Sequence, residues 1–223
     1  MLGVILTACM GLGAQEQNPA SPNQTSSDEA TAKGRKGMPP RVAPTEYQAH
    51  GTAGDFTIAA DFDEHSVPTP DGTFTSEDYI VVEAALFGPA GAKINLKLED
   101  FSLHINDKKA PLPSQAYALL FHSLSDPEWI PPKQPDDEKS KTAINTGGRG
   151  GQNDDKPLPP KMPRELRRAM EQKVLKVVMP EGERPAPVAG LLFFYYRGKS
   201  KNIKSMELIY NGAAGTATIP LQP

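Results

Sequence analysis

Cysteine is almost missing from this chain: Cys9 is the single one among 223 residues. One thiol cannot close an intramolecular disulfide, and it cannot supply the cysteine sets that structural zinc sites use. The four histidines, His50, His65, His104 and His122, do not replace them, because no two stand at zinc-ligand spacing. Two hydrolase signatures are absent as well, the Gly-x-Ser-x-Gly elbow and the His-Glu-x-x-His helix. Neither sign of charge dominates: 24 Lys and Arg stand against 27 Asp and Glu, a formal net charge of −3 and a pI near 5.8. No global field therefore draws the chain to nucleic acid. After the first residues no apolar run approaches the roughly 20 residues that a membrane-spanning helix needs.

The first residues are the exception. Met1 to Ala14 is an uncharged run of apolar and small side chains, followed at once by the polar Gln15-Glu16-Gln17-Asn18. That order is the mark of an export signal, with Gly11, Gly13 and Ala14 as the small residues a signal peptidase accepts. No Lys or Arg precedes the run, which points to a start upstream of Met1. Leu6-Thr7-Ala8-Cys9 resembles a bacterial lipobox, in which Cys9 would carry lipid; the apolar run continues past it, as in a simple secretory signal. Both readings place the protein outside the cytoplasm, periplasmic or extracellular. The mature chain is expected to be free in solution or held to the membrane only by a lipid anchor.

Composition then divides the chain. Residues 15–45 are rich in Ser, Thr, Asn, Gln, Pro and Gly and read as a disordered linker, since they hold too little apolar surface to offset the entropy of ordering. Residues 46–223 read as one domain. Phe56, Ile58, Ala60 and Phe62 alternate with polar or small residues, the period of a half-buried strand. Tyr79 to Phe87 is apolar almost throughout, as a central strand can be. Ile94 to Leu98, Phe101 to Ile105, Gly190 to Tyr196, Ser205 to Tyr210 and Thr216 to Leu221 complete the set, while Val67 to Asp78 reads as a turn-rich link. Residues 125–162, with Gly147 to Gly151 at their centre, read as a long mobile insertion. Residues 163–178 read as a late amphipathic helix with Pro163 at its first position and Leu166, Met170, Val174 and Val177 on one stripe. The expected fold is all-β, a sandwich of about seven strands.

The run Gly190-Leu191-Leu192-Phe193-Phe194, a polar turn, Ser205 to Tyr210, then Ala217-Thr218-Ile219-Pro220-Leu221 resembles the closing strands of an immunoglobulin-like extracellular domain. Asp100-Phe101-Ser102-Leu103 resembles the middle of that domain, and Tyr79 to Phe87 its second strand. Such domains occur in bacterial lipoproteins and secreted antigens. The likeness implies a shape and a location, and no activity. The insertion with its basic helix departs from it.

Three functions are compatible with these residues. The first is a non-enzymatic exported module that binds a protein or another cell-envelope component through a sandwich face, its loop ends or the insertion. Trp129, in a Pro-rich loop, is then either a plug over the core or an anchor for a partner, and Arg164, Arg167 and Arg168 give the helix a basic face. The second is a periplasmic ion- or small-ligand-binding domain, in which Asp61, Asp63, Glu64, Asp71 and Asp78 offer the oxygen ligands that Ca²⁺ favours. The third is an exported hydrolase with a dispersed triad. No cofactor is expected.

Overall fold

A computed structural model of the chain describes residues 36–106, 110–132 and 161–223. The elements are β1 (Ala49–Ala53), β2 (Phe56–Phe62), β3 (Ser66–Thr69), β4 (Gly72–Ser76), β5 (Tyr79–Phe87), β6 (Lys93–Leu96), β7 (Phe101–Ile105), β8 (Leu112–Gln115), α1 (Tyr117–Leu120), β9 (Leu124–Ser125), α2 (Arg164–Leu175), β10 (Gly182–Pro185), β11 (Val188–Tyr195), β12 (Met206–Gly212) and β13 (Gly215–Leu221). The fold is all-β, as composition and periodicity predict. Eight strands form one antiparallel sheet in the order β1-β2-β5-β11-β8-β7-β12-β13. The join between its halves is slight: β11 meets β8 only through Phe193 with Gln115 and Phe194 with Ser114. The two outer strands, β1 and β13, lie alongside each other. A Cβ placed on Gly51 would sit 3.4 Å from Ile219 Cγ1, so the sheet rolls round until its edges face.

The roll encloses the main core. Ile80, Val82, Ala84 and Leu86 of β5 and Leu192 and Phe194 of β11 pack against Phe101, Leu103, Ile105, Leu208, Tyr210 and Ile219 from the other half. Each of these large side chains contributes about 1.5–3 kcal/mol by leaving water. The alternate residues of β5 and β11 point outward and are buried too. Tyr79, Val81, Leu191 and Phe193 lie under Val67, Phe74, Leu120, Met170, Val174 and Val177, while Ala85 and Ala189 lie under Tyr47 and Met38. Covering on both faces is why β5 reads as apolar almost throughout. β7, β12 and β13 bury one face only, and their sequences alternate accordingly.

Several expectations need correction. The link expected over Val67 to Asp78 is a hairpin, β3 with β4, and β9 adds to it to make a small sheet against the outer face of β5. Its alternation is interrupted by Pro68 and Thr69, which hid it. Of the linker span 15–45, residues 36–45 are packed: Met38 N–H donates to Ala189 O at 3.1 Å, and a 3₁₀ turn covers Pro44–Glu46. Apolar content failed as a guide there because Arg41 holds the segment by charge. Pro163 is the N-cap of α2, outside the helix, and only Met170 and Val174 of the helix are buried, with Leu166 half exposed. The apolar stripe is completed after the helix ends. Val177 O accepts from Leu191 N–H at 2.8 Å, and Met179 N–H donates to Leu191 O at 3.0 Å, so this segment runs along β11 as a short parallel bridge. Of the insertion 125–162, Ser125 belongs to β9, and residues 133–160 lie outside the described residues. The signal segment 1–14 with Cys9, and residues 15–35, lie outside them as well.

Candidate functional site

An open cleft of about 930 Å³ lies where the small sheet meets the loop from β11 to β12. One wall is the turn from β2 to β3. Glu64 adopts φ 55°, and this left-handed residue turns the chain sharply after Asp63. Asp63 N–H donates to Val81 O at 3.1 Å and Val81 N–H to Glu64 O at 2.8 Å, so the turn is fastened to β5. Thr75 and Ser76 of β4, Glu77 after it, and Ser125 of β9 continue this wall. The opposite wall is Arg197, Gly198, Lys199, Ser200 and Lys201, with Ile203 and Pro223 adding apolar surface.

The two walls are tied together at two points. The His65 ring has Nδ1 2.8 Å from Tyr79 O and Nε2 3.0 Å from Gly198 O, which spans the cleft. Arg197 Nε donates to Asp78 Oδ1 at 2.8 Å, while Tyr196 N–H donates to Asp78 O at 2.8 Å. The cleft is therefore set by the fold. Both ring nitrogens of His65 face backbone carbonyls, so the ring is turned away from Ser76 and Ser125. Those serines are engaged elsewhere: Ser76 Oγ with Ser123 Oγ and Ser125 Oγ with Thr75 Oγ1, each at 2.8 Å.

The charges at the cleft are opposed. Glu64 and Glu77 are exposed on one wall, Lys199 and Lys201 on the other. None of these four takes part in an ion pair among the described residues.

A second, smaller recess of about 400 Å³ is acidic and is lined by Glu46, Tyr47, Asp61 and Asp63. Its organising residue is Arg41 of the N-terminal segment, which pairs with Asp61 and, at 3.3 Å, with Glu83 Oε2. The guanidinium lies 4.4 Å from the centre of the Tyr47 ring, and Arg41 N–H donates to the Tyr47 hydroxyl at 3.2 Å. Partial burial pulls Arg41 down, but Glu83 and Asp61 outweigh it and hold the group above its ordinary value. Gln48 N–H donates to Asp61. Asp63 receives less: its Oδ2 is buried without a partner. Burial first, then the charges of Glu83 and Asp61, push its carboxyl up to about 7.

The five acids expected to bind Ca²⁺ are thus dispersed. Asp61 and Asp63 lie beside Arg41, Glu64 faces the cleft, Asp78 holds Arg197, and Asp71 is exposed at the tip of the β3–β4 hairpin. The positive φ of Glu64 turns it away from its neighbours, and the hairpin carries Asp71 off. Among the described residues no three His, Cys, Asp or Glu side chains are grouped to hold a metal ion. Trp129 is half-buried and is not among the described residues of the three buried clusters. Arg164, Arg167 and Arg168 are exposed on α2. Sequence reading gave no role to Arg41, Glu77, Glu83, Lys199 or Lys201. Two signals could have found some of them: three cations within the five residues Arg197 to Lys201, and a carboxylate, Glu83, in the middle of an apolar strand.

Among the described residues no helix is long and apolar enough to cross a membrane. Compared with family models, curated proteins and solved structures, the chain matches none.

Proposed function

We propose that the protein is an exported, non-enzymatic binding module of the bacterial cell envelope, a β-sandwich of the immunoglobulin-like kind its closing strands resemble. The observation that carries this reading is the cleft of about 930 Å³, whose walls are joined by His65 to Gly198 and Asp78 to Arg197. A preformed concavity of that size with a few polar groups is what small-ligand sites look like. Ser76 and Ser125 are bonded to other hydroxyls and His65 to carbonyls, which supports binding over hydrolysis. The apolar run Met1 to Ala14, read as an export signal, supports a partner in the envelope.

Native mass spectrometry of the protein recovered from its own cells tests this. A bound envelope component should appear as added mass, retained in an Arg164→Ala/Arg167→Ala/Arg168→Ala variant and lost in Lys199→Gln/Lys201→Gln. The same mass retained in the lysine variant and lost in the arginine variant assigns binding to α2 and ends the cleft reading. No added mass in any preparation counts against a binding module. Intact mass also reads the N-terminus, with a lipid-modified start at Cys9 or a free start near Gln15.

A further inference from the structure

We propose that the ligand of this cleft is dipolar, a short peptide whose ammonium faces Glu64 and Glu77 and whose carboxylate faces Lys199 and Lys201. The inference rests on the cleft being the binding site. Its basis is the arrangement of four charges. Each wall carries two groups of one sign, and none of the four is neutralised by an ion pair across the cleft or within its own wall. Like charges held near one another raise the local potential, and a ligand group of opposite sign relieves it.

The alternatives fit less well. A simple anion such as phosphate would be drawn to the lysines but would face both glutamates. A divalent cation would face both lysines, and no three ligating side chains are grouped here to hold it. A molecule with separated charges of both signs satisfies the two walls together. The His65 bridge to Gly198 O and the Arg197 pair with Asp78 hold the two walls together. Ser200 also lines the cleft, and its hydroxyl can serve a peptide N–H or C=O group in place of water. A volume of about 930 Å³ accommodates a peptide of a few residues.

Isothermal titration calorimetry on the full chain tests the proposal with trialanine, N-acetyl-trialanine, trialanine amide and inorganic phosphate. Trialanine should bind, and capping either end should weaken it by about tenfold or more. In Glu64→Gln/Glu77→Gln the acetyl cap should no longer matter, and in Lys199→Gln/Lys201→Gln the amide cap should no longer matter. These side chains are exposed, so unchanged melting temperatures confirm that the variants fold. Capped and free peptides binding equally, phosphate binding as well as trialanine, or no binding of any peptide would each overturn the dipolar ligand. If the native adduct of the previous section is lost in the lysine variant while trialanine fails, the cleft remains the site and only the ligand class falls. If the lysine variant keeps that adduct, the cleft itself is refuted.

Discussion

Replacing Asp63 by Asn should remove part of the pH dependence of stability. The carboxyl is held at about 7 against an ordinary value of 3.8, by burial, then by Glu83 and Asp61, with Arg41 opposing. Because its folded value is raised, the native state binds this proton more tightly than the unfolded chain does. The contribution is complete below pH 3.8, declines as pH rises toward about 7, and is gone above it. At about 1.4 kcal/mol per pH unit, the full window amounts to at most about 4 kcal/mol, and the interval from about pH 5.5 to pH 8 to about 2 kcal/mol. The carboxyl keeps some contact with solvent, which screens it and trims both figures. Urea midpoints at the two pH values, for the native chain and for Asp63→Asn, give the measurement. Every other group is common to the two chains, so its contribution cancels in the difference. The native chain should lose about 1–2 kcal/mol more than the variant on going to pH 8. Equal losses would show that Asp63 is ionised at no cost, and the argument from its unpartnered Oδ2 would fail.

Two further substitutions probe how the outer layer is attached. Arg41→Met should cost about 2 kcal/mol by urea denaturation, because Asp61 and the buried Glu83 lose their cation. Faster hydrogen exchange at the Met38 amide, bonded to Ala189 O, should accompany it; unchanged exchange would mean that the segment is held without Arg41. Gly190→Ala should destabilise by about 3 kcal/mol, since the new Cβ would lie 2.3 Å from Met179 Cα and 2.5 Å from Met179 N, backbone that cannot swing aside. A melting temperature within a degree of the native one would refute that close approach.

Much of the fold was legible because the signal was periodic. β7, β12 and β13 each face one core and their alternation gave them away, and β2 shows the same period in its large residues although Ala59 on its other face is buried too. β5 was legible for the opposite reason, as a run apolar but for Glu83 and buried on two faces. β1, Ala49–Ala53, and β10, Gly182–Pro185, carry too few large apolar residues to show a period, and both were missed. Val177 and Val178 were read as the end of the helix because the three apolar residues Val177 to Met179 suit either a helix end or a strand. Only the approach to Gly190 decides between them, and that is a tertiary fact.

The site was legible only where a residue contradicted its surroundings. Glu83 lies in a nine-residue strand that is otherwise apolar, and a carboxylate so placed requires a cation within reach. The search for one leads to the N-terminal segment, where Arg41 is the basic residue nearest the first strand. That single inference would have shown that residues 36–45 are packed and that the segment ends on the outer face of β5. The cleft offered no such contradiction. Glu64, Glu77, Lys199 and Lys201 are charged residues in turns, the ordinary occupants of such places. Their significance comes from the fold, which sets two turns more than a hundred residues apart in sequence at the two sides of one space and bridges them through His65. A charge pattern of that kind is a property of loop placement, so it becomes visible only once the antiparallel order of β5 and β11 fixes which turns share an end.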